Sequence, residues 1–216
     1  MPTLLATPGR TVRPKSVRRK PERPFRLFSL AEYHWLIERG FFRPNDRVEL
    51  IQGQLVAMSP IHPPHASTVT RLSRLFERCV EDPIVVRTQQ PITLEGQNSE
   101  PEPDIVLAVA SPTVDEFDRR HPSPAELLLV CEVPDTTLNY DRKTKRALYA
   151  NAEIREYWIV NVYARTIEVH RNPVLSGHQM TYRQQIEIPA GQKIAPLALP
   201  DCEIDPALFL PLPRSN

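Results

Sequence analysis

The stretch Leu127-Leu128-Leu129-Val130-Cys131-Glu132-Val133 constrains the chain more than any other. Five apolar residues in succession, without alternation, predict a strand covered on both faces. A carboxylate then interrupts the run. An ionised Glu inside a sheet is costly unless something cationic compensates it. Earlier in the chain, Pro103-Asp104 opens a second apolar run, Ile105-Val106-Leu107-Ala108-Val109. Two buried-type strands, each with an acid at one end, suit a metal-dependent hydrolase. The same pattern suits a satisfied core ion pair.

A length of 216 residues fits one domain with tails, large enough to bury a core without a disulfide or structural metal. The net charge of +1 hides an uneven distribution: residues 1–24 hold seven Lys/Arg against one acid, and the remainder 20 basic against 25 acidic residues. Residues 1–24, with five prolines, read as a flexible basic arm, residues 25–210 as a single domain and 211–216 as a tail. The acidic body excludes a uniformly basic nucleic-acid coat. Cys79, Cys131 and Cys202 lie far apart without any Cys/His cluster, so neither a zinc site nor a disulfide framework is expected, and Cys131 reads as a small buried hydrophobe. No apolar stretch has the length of a membrane span and the N-terminus lacks a secretory core. A cytoplasmic protein without membrane partners is the expectation.

Ser29-Leu30-Ala31-Glu32 fits a capping box opening a short helix that stops at Gly40. Residues 47–51, the pair Gln52-Gly53 and residues 54–58 predict a β-hairpin, with Glu49 on its first strand. Pro63-Pro64-His65 starts a second helix, with Val69, Leu72, Leu75, Phe76 and Cys79 at helical spacing. Residues 84–88 and 92–94 are strand-like, and 110–126 read as a polar surface loop. A helix is expected over Asp141 to Ala152, then strands at 157–160, 166–170 and 181–188, and a helical turn at 206–210.

Glu49, Asp104, Glu132 and Lys145 are the charged residues that recur beside these apolar runs. Two acids on adjacent strands can share a hard cation such as Mg²⁺, which takes oxygen ligands and keeps several waters. A third acid can complete the site, and a Lys can stabilise charge on a phosphoryl oxygen or orient an attacking water. Lys145 also stands four residues after Asp141, the spacing of an ordinary helix-surface ion pair.

Several ordered blocks resemble the Uma-two family: Asp46-Arg47-Val48-Glu49-Leu50-Ile51-Gln52-Gly53, Met58-Ser59-Pro60-Ile61 with His65-Ala66, Ser99 to Val106, Glu132-Val133, Tyr140-Asp141-Arg142 with Lys145 and Tyr149-Ala150, Glu156 to Val160, Pro173, and Ala198-Leu199-Pro200. Together they span about residues 27–210. The resemblance implies the PD-(D/E)XK restriction-endonuclease-like superfamily: an α/β (α+β) fold with a mixed central β-sheet flanked by helices and a divalent-metal nuclease site. It implies Asp104 and Glu132 as metal ligands, Glu49 as an additional acid, and Gln89 as a residue lining the site. Pro134 stands where the superfamily's Lys would follow Glu132, and the Lys of the next helix, Lys145, matches the family's displaced position. His65 also matches a family position without an assigned role, and a helix-start hydrogen bond is its plainer reading.

The leading expectation is a Mg²⁺- or Mn²⁺-dependent phosphodiesterase acting on nucleic acid, with DNA preferred. Arg71, Arg74 and Arg78 on the second helix offer either a phosphate patch or a solvated face. A homodimer follows from the way related nucleases cut two strands. A binding module without catalysis on the same fold is the alternative, and hydrolysis of a small phosphorylated compound a third reading.

Overall fold

The two apolar runs pair with each other at the centre of the molecule. The computed structural model describes residues 25–43, 45–110 and 116–212; the basic arm and most of the short C-terminal tail lie outside them. Eight strands occur among these residues: β1 (Val48–Ile51), β2 (Gln54–Ala57), β3 (Ile84–Thr88), β4 (Ile105–Val109), β5 (Leu127–Glu132), β6 (Glu156–Asn161), β7 (Thr166–Ser176) and β8 (Gln179–Pro189). Strands β3 to β8 form one sheet in sequence order, while β1 and β2 form a separate hairpin. Every pairing is antiparallel except β5 with β6. That parallel pair needs a crossover, which the helical segment after β5 supplies.

Helices cover both faces of the sheet, and this explains the lack of alternation in β4 and β5. On one face Ile105, Leu107, Leu129, Cys131, Trp158 and Val160 pack with Val69, Leu72 and Phe76 of α2 (Pro63–Glu77) and with the C-terminal segment through Phe209 and Leu210. On the other, Val106, Ala108, Val130, Tyr157 and Ile159 pack with Ile51 of the hairpin and with Leu148 and Tyr149. Cys131 is a buried free thiol, as a small hydrophobe should be.

The N-terminal elements follow their local signals. Ser29 and Glu32 form a complete capping box for α1 (Leu30–Glu38), and Gly40 takes φ +66° beyond its end. In the hairpin, Gln52 and Gly53 have φ of 49° and 77°, the two positive values that a tight hairpin turn requires. A Cβ at Gly53 would also stand 2.8 Å from Leu27 Cβ and 3.0 Å from the Phe28 carbonyl oxygen. The turn therefore needs glycine twice over.

Four expectations are corrected. Residues 92–94 form no strand; only Leu94 makes an isolated bridge, to Ser99, because buried Ile92 and Leu94 serve the core from a loop. Within 110–126 the chain is not all loop: α3 (Glu116–Arg119) and a 3₁₀ turn (Pro124–Glu126) occur, the latter capped by Ser123 and Glu126. The helix expected from Asp141 begins earlier, as α4 (Leu138–Tyr140), passes through a π turn (Asp141–Lys145) and continues as α5 (Arg146–Asn151). Finally, Cys79 and Cys202 form a disulfide across 123 residues. Wide sequence separation hid it, since both half-cystines reach the same core face through tertiary packing. No helix among the described residues is long and apolar enough to cross a membrane.

Candidate active site

Strand register brings the two acids together. Ile105 pairs with Cys131 across β4 and β5, and continuing that antiparallel register by one residue sets Asp104 opposite Glu132. The Asp104 carboxylate is pinned by the neighbouring strand end: its Oδ2 accepts the Val133 N–H at 2.8 Å. Both acids border a cleft of about 520 Å³, together with Glu49, His65, Gln89 and Lys145.

The hairpin delivers Glu49 through main-chain pairing. Leu50 and Glu100 exchange backbone hydrogen bonds of 2.7 and 3.4 Å, and the Glu102 N–H donates to Glu49 Oε2 at 3.3 Å. A strand formed far earlier in the chain thereby lies against the segment that leads into Asp104.

Lys145 completes the group from the other side of the crossover. Its Nζ lies 2.9 Å from Glu132 Oε1 and 3.3 Å from Glu49 Oε2. The helix-surface pair with Asp141 is not formed: Asp141 accepts from Thr137 Oγ1 at 2.7 Å instead. The π turn is the cause, because its wider winding removes the i, i+4 alignment of an α-helix and aims Lys145 at the sheet end. Such turns recur at functional sites. Lys145 and Glu132 are buried, at 6% and 4% exposure.

Electrostatics in this corner are strained by burial. Desolvation pushes the Glu132 carboxyl up to about 8, against the lowering pull of Lys145. Desolvation likewise raises Asp141, to about 6, again opposed by Lys145. For Lys145 burial disfavours the charged form, but Glu132, Glu49 and Asp141 outweigh it and hold the amine above its ordinary value. The cluster thus carries several carboxyl groups around one ammonium, and a further cation would relieve it.

Three contacts went unread in the sequence. Tyr149 donates its hydroxyl to Glu132 Oε1 at 2.7 Å; it stands four residues after Lys145, so helical spacing held that signal. His65 does not cap its helix. Its Nδ1 lies 2.7 Å from the Val133 carbonyl oxygen and its Nε2 3.2 Å from Asp104 Oδ1. Burial works against the charged ring, yet the Asp104 hydrogen bond and charge prevail and raise its pKa above the usual histidine value. Gln89, with φ 49° at the end of β3, directs Nε2 toward Asp104 Oδ1 at 3.4 Å and His65 Nε2 at 3.3 Å. Arg71, Arg74 and Arg78 are exposed on α2, and Arg71 also reaches the Phe209 carbonyl oxygen at 3.5 Å.

Among the described residues, no group of three or more His, Cys, Asp or Glu side chains is disposed to hold a metal ion. Mg²⁺ asks less than that of a protein, taking one or two carboxylates while waters and phosphate oxygens fill its remaining positions. Asp104 and Glu132, hard oxygen donors on one cleft with uncompensated negative charge around them, fit that requirement.

Comparison with known proteins agrees with the architecture. A solved structure, that of a "putative nuclease belonging to DUF820" from Anabaena variabilis, superimposes with a TM-score of 0.66 at 12% identity, covering 84% of this chain and 97% of that one. At that identity the likeness speaks for the fold. No curated protein matches the chain. The profile of the Uma2 (Uma-two) family, described as "Putative restriction endonuclease", matches residues 30–207. With that match spanning most of its length, this chain belongs to the Uma2 family, a nuclease-like family.

Proposed function

We propose that this protein is a divalent-metal-dependent endonuclease that hydrolyses phosphodiester bonds in nucleic acid, with DNA as its substrate. The observation that carries the reading is the meeting of Asp104, Glu132, Glu49 and Lys145, from four separate elements, on one cleft. Asp104 and Glu132 would hold Mg²⁺ or Mn²⁺. When bound, that ion supplies positive charge against the phosphoryl oxygens and acidifies the attacking water.

The protein's own groups do the remaining work. Val133 N–H and Gln89 fix the Asp104 carboxylate, and Tyr149 and Lys145 fix Glu132 through Oε1. An ammonium has three donors. Two of those on Lys145 face Glu132 and Glu49, and the third serves a phosphoryl oxygen or orients the water. Its pairing with two carboxylates keeps Lys145 charged in a site that would otherwise neutralise it. Gln89 and Arg47 on the cleft wall suit phosphate and base contacts. The acidic body calls for help with phosphate attraction, which the 1–24 arm and the α2 arginines offer. Two protomers acting together would cut both strands, and a cytoplasmic location would give access to DNA. A disulfide such as Cys79–Cys202 is uncommon in that reducing compartment.

One observation favours a second reading, a non-catalytic binding module: Lys145 already pairs with both neighbouring carboxylates, as in a settled core ion pair. Incubation of labelled single- and double-stranded DNA with Mg²⁺, Mn²⁺ or EDTA separates the two. Metal-dependent cutting, lost by about a hundredfold or more in folded Asp104→Ala and Glu132→Ala proteins, is the expected result. Intact DNA under every condition, with binding retained, would favour the module.

A further inference from the structure

The contact between His65 and Asp104 is short of a positive charge. His65 Nδ1 faces the Val133 carbonyl oxygen at 2.7 Å. A carbonyl only accepts, so Nδ1 carries the proton of that hydrogen bond. In the neutral ring Nε2 then presents its lone pair. What it faces, at 3.2 Å, is Asp104 Oδ1, a second acceptor. The Gln89 amide is the third corner of this triangle, but at 3.3 and 3.4 Å it lies beyond ordinary hydrogen-bond length for either atom. Two acceptors at this separation need something cationic between them.

A proton meets that need in the free protein. The geometry also matches a metal. Adjacent ligands of an octahedral ion with bonds near 2.1 Å stand about 3.0 Å apart, close to the observed 3.2 Å. Moreover, a metal-bound histidine usually donates its other ring N–H to a carbonyl or carboxylate, which fixes the tautomer and aims the ligating nitrogen. The Val133 carbonyl does so here. Val133 in fact holds both partners, its N–H gripping Asp104 Oδ2 and its C=O gripping His65. One peptide unit at the end of β5 therefore sets the spacing of a nitrogen donor and an oxygen donor on the wall of the cleft.

We infer that His65 is a ligand of the divalent ion, binding through Nε2 beside Asp104 Oδ1, and that this nitrogen donor makes the site prefer a first-row transition ion over Mg²⁺. The inference rests on the endonuclease reading above and deepens it. Both hydrogen bonds to Glu132 from described residues fall on Oε1, so Glu132 reaches the same ion through Oε2 or a bridging water. An all-oxygen site discriminates little in favour of Mn²⁺ or Co²⁺, whereas imidazole adds affinity for ions that accept nitrogen.

The test uses Mn²⁺ alone, with the full chain. Pulsed electron paramagnetic resonance of the Mn²⁺-loaded protein reads imidazole nitrogen coupling directly and without turnover. The expected result is nitrogen coupling in the parent, absent in His65→Gln, which stays folded and still binds Mn²⁺ more weakly. Competition titration should show the Mn²⁺-over-Mg²⁺ preference of the parent shrinking by about tenfold or more in His65→Gln. The variant is needed because His62 touches Asp135 on the rim of the same cleft. Asp104→Asn should abolish the bound signal. Mn²⁺ that binds the parent and is lost in Asp104→Asn, yet shows no nitrogen coupling, would overturn the His65 ligand and leave the endonuclease reading standing. Absence of Mn²⁺ binding by the parent would overturn both.

Discussion

The Lys145 ammonium stands 2.9 Å from Glu132 Oε1, with both side chains withdrawn from solvent. The pair joins the end of β5 to the crossover helix that follows it, and Glu49 leans on it from the hairpin. A charge held this way is more costly to orphan than to remove together with its partner.

Lys145→Met should therefore lower stability by about 3–5 kcal/mol, since Glu132 and Glu49 lose their counter-charge. Glu132→Leu added to Lys145→Met should recover part of the loss and none of the nuclease activity. Urea unfolding of the parent, single and double variants measures the first effect, and DNA cleavage the second. A Lys145→Met protein as stable as the parent would contradict the account of the buried pair.

Metal affinity should depend on pH through Glu132. Its carboxyl is raised to about 8 by burial, so in the free protein it is protonated below that value and must lose a proton to bind a cation. Apparent Mn²⁺ affinity should rise with pH, by up to about tenfold per unit, and level off above about 8. Calorimetric titration across that range checks the slope. In Glu132→Gln the slope should flatten and the affinity fall.

His170 predicts an acid branch in stability. The ring is buried between Tyr157 and Tyr182, and neither nitrogen has a hydrogen-bond partner. Desolvation first, then the Arg146 and Arg142 charges, lower its pKa to about 4 from 6.5. A depressed folded-state pKa means that the unfolded chain takes up the proton first. Stability should be full above about pH 6.5 and fall progressively toward pH 4, by up to about 3 kcal/mol. His170→Phe, which keeps the ring stack, should remove this part of the pH dependence in thermal melts.

The Cys79–Cys202 bridge closes a loop across 123 residues between the end of α2 and the C-terminal segment. On chain-entropy grounds its reduction should destabilise the protein by roughly 4–5 kcal/mol. The site lies at the other end of β4 and β5's shared register from no part of that bridge, so the metal-binding residues keep their own contacts. Denaturant melts with and without reductant, and of Cys79→Ser, measure the loss. An unchanged midpoint would show that the tie contributes nothing to the fold.

Much of the architecture could be read from local pattern. The capping box at Ser29, the Gln52-Gly53 turn and the unbroken apolar runs of β4 and β5 each carry their own physical cause, and each stands where that cause puts it. Residues 92–94 misled because β-branched and apolar side chains serve a buried loop as well as a strand. The π turn left no local mark at all, since nothing in the sequence distinguishes it from α-helix.

For the site, the sequence by itself determined which side chains are available: acids at the ends of two buried strands, an acid on the hairpin, and a lysine on the next helix. Charge beside apolar runs is visible because burial makes it expensive. Only the tertiary structure decided the partners. Strand register set Asp104 against Glu132, backbone pairing of Leu50 with Glu100 brought Glu49 in, and the π turn gave Lys145 to Glu132 rather than to Asp141. His65 and Asp104 met only through the two ends of one peptide at Val133, and Cys79 and Cys202 only through a shared core face. Such meetings depend on distance in space, which spacing along a chain does not encode.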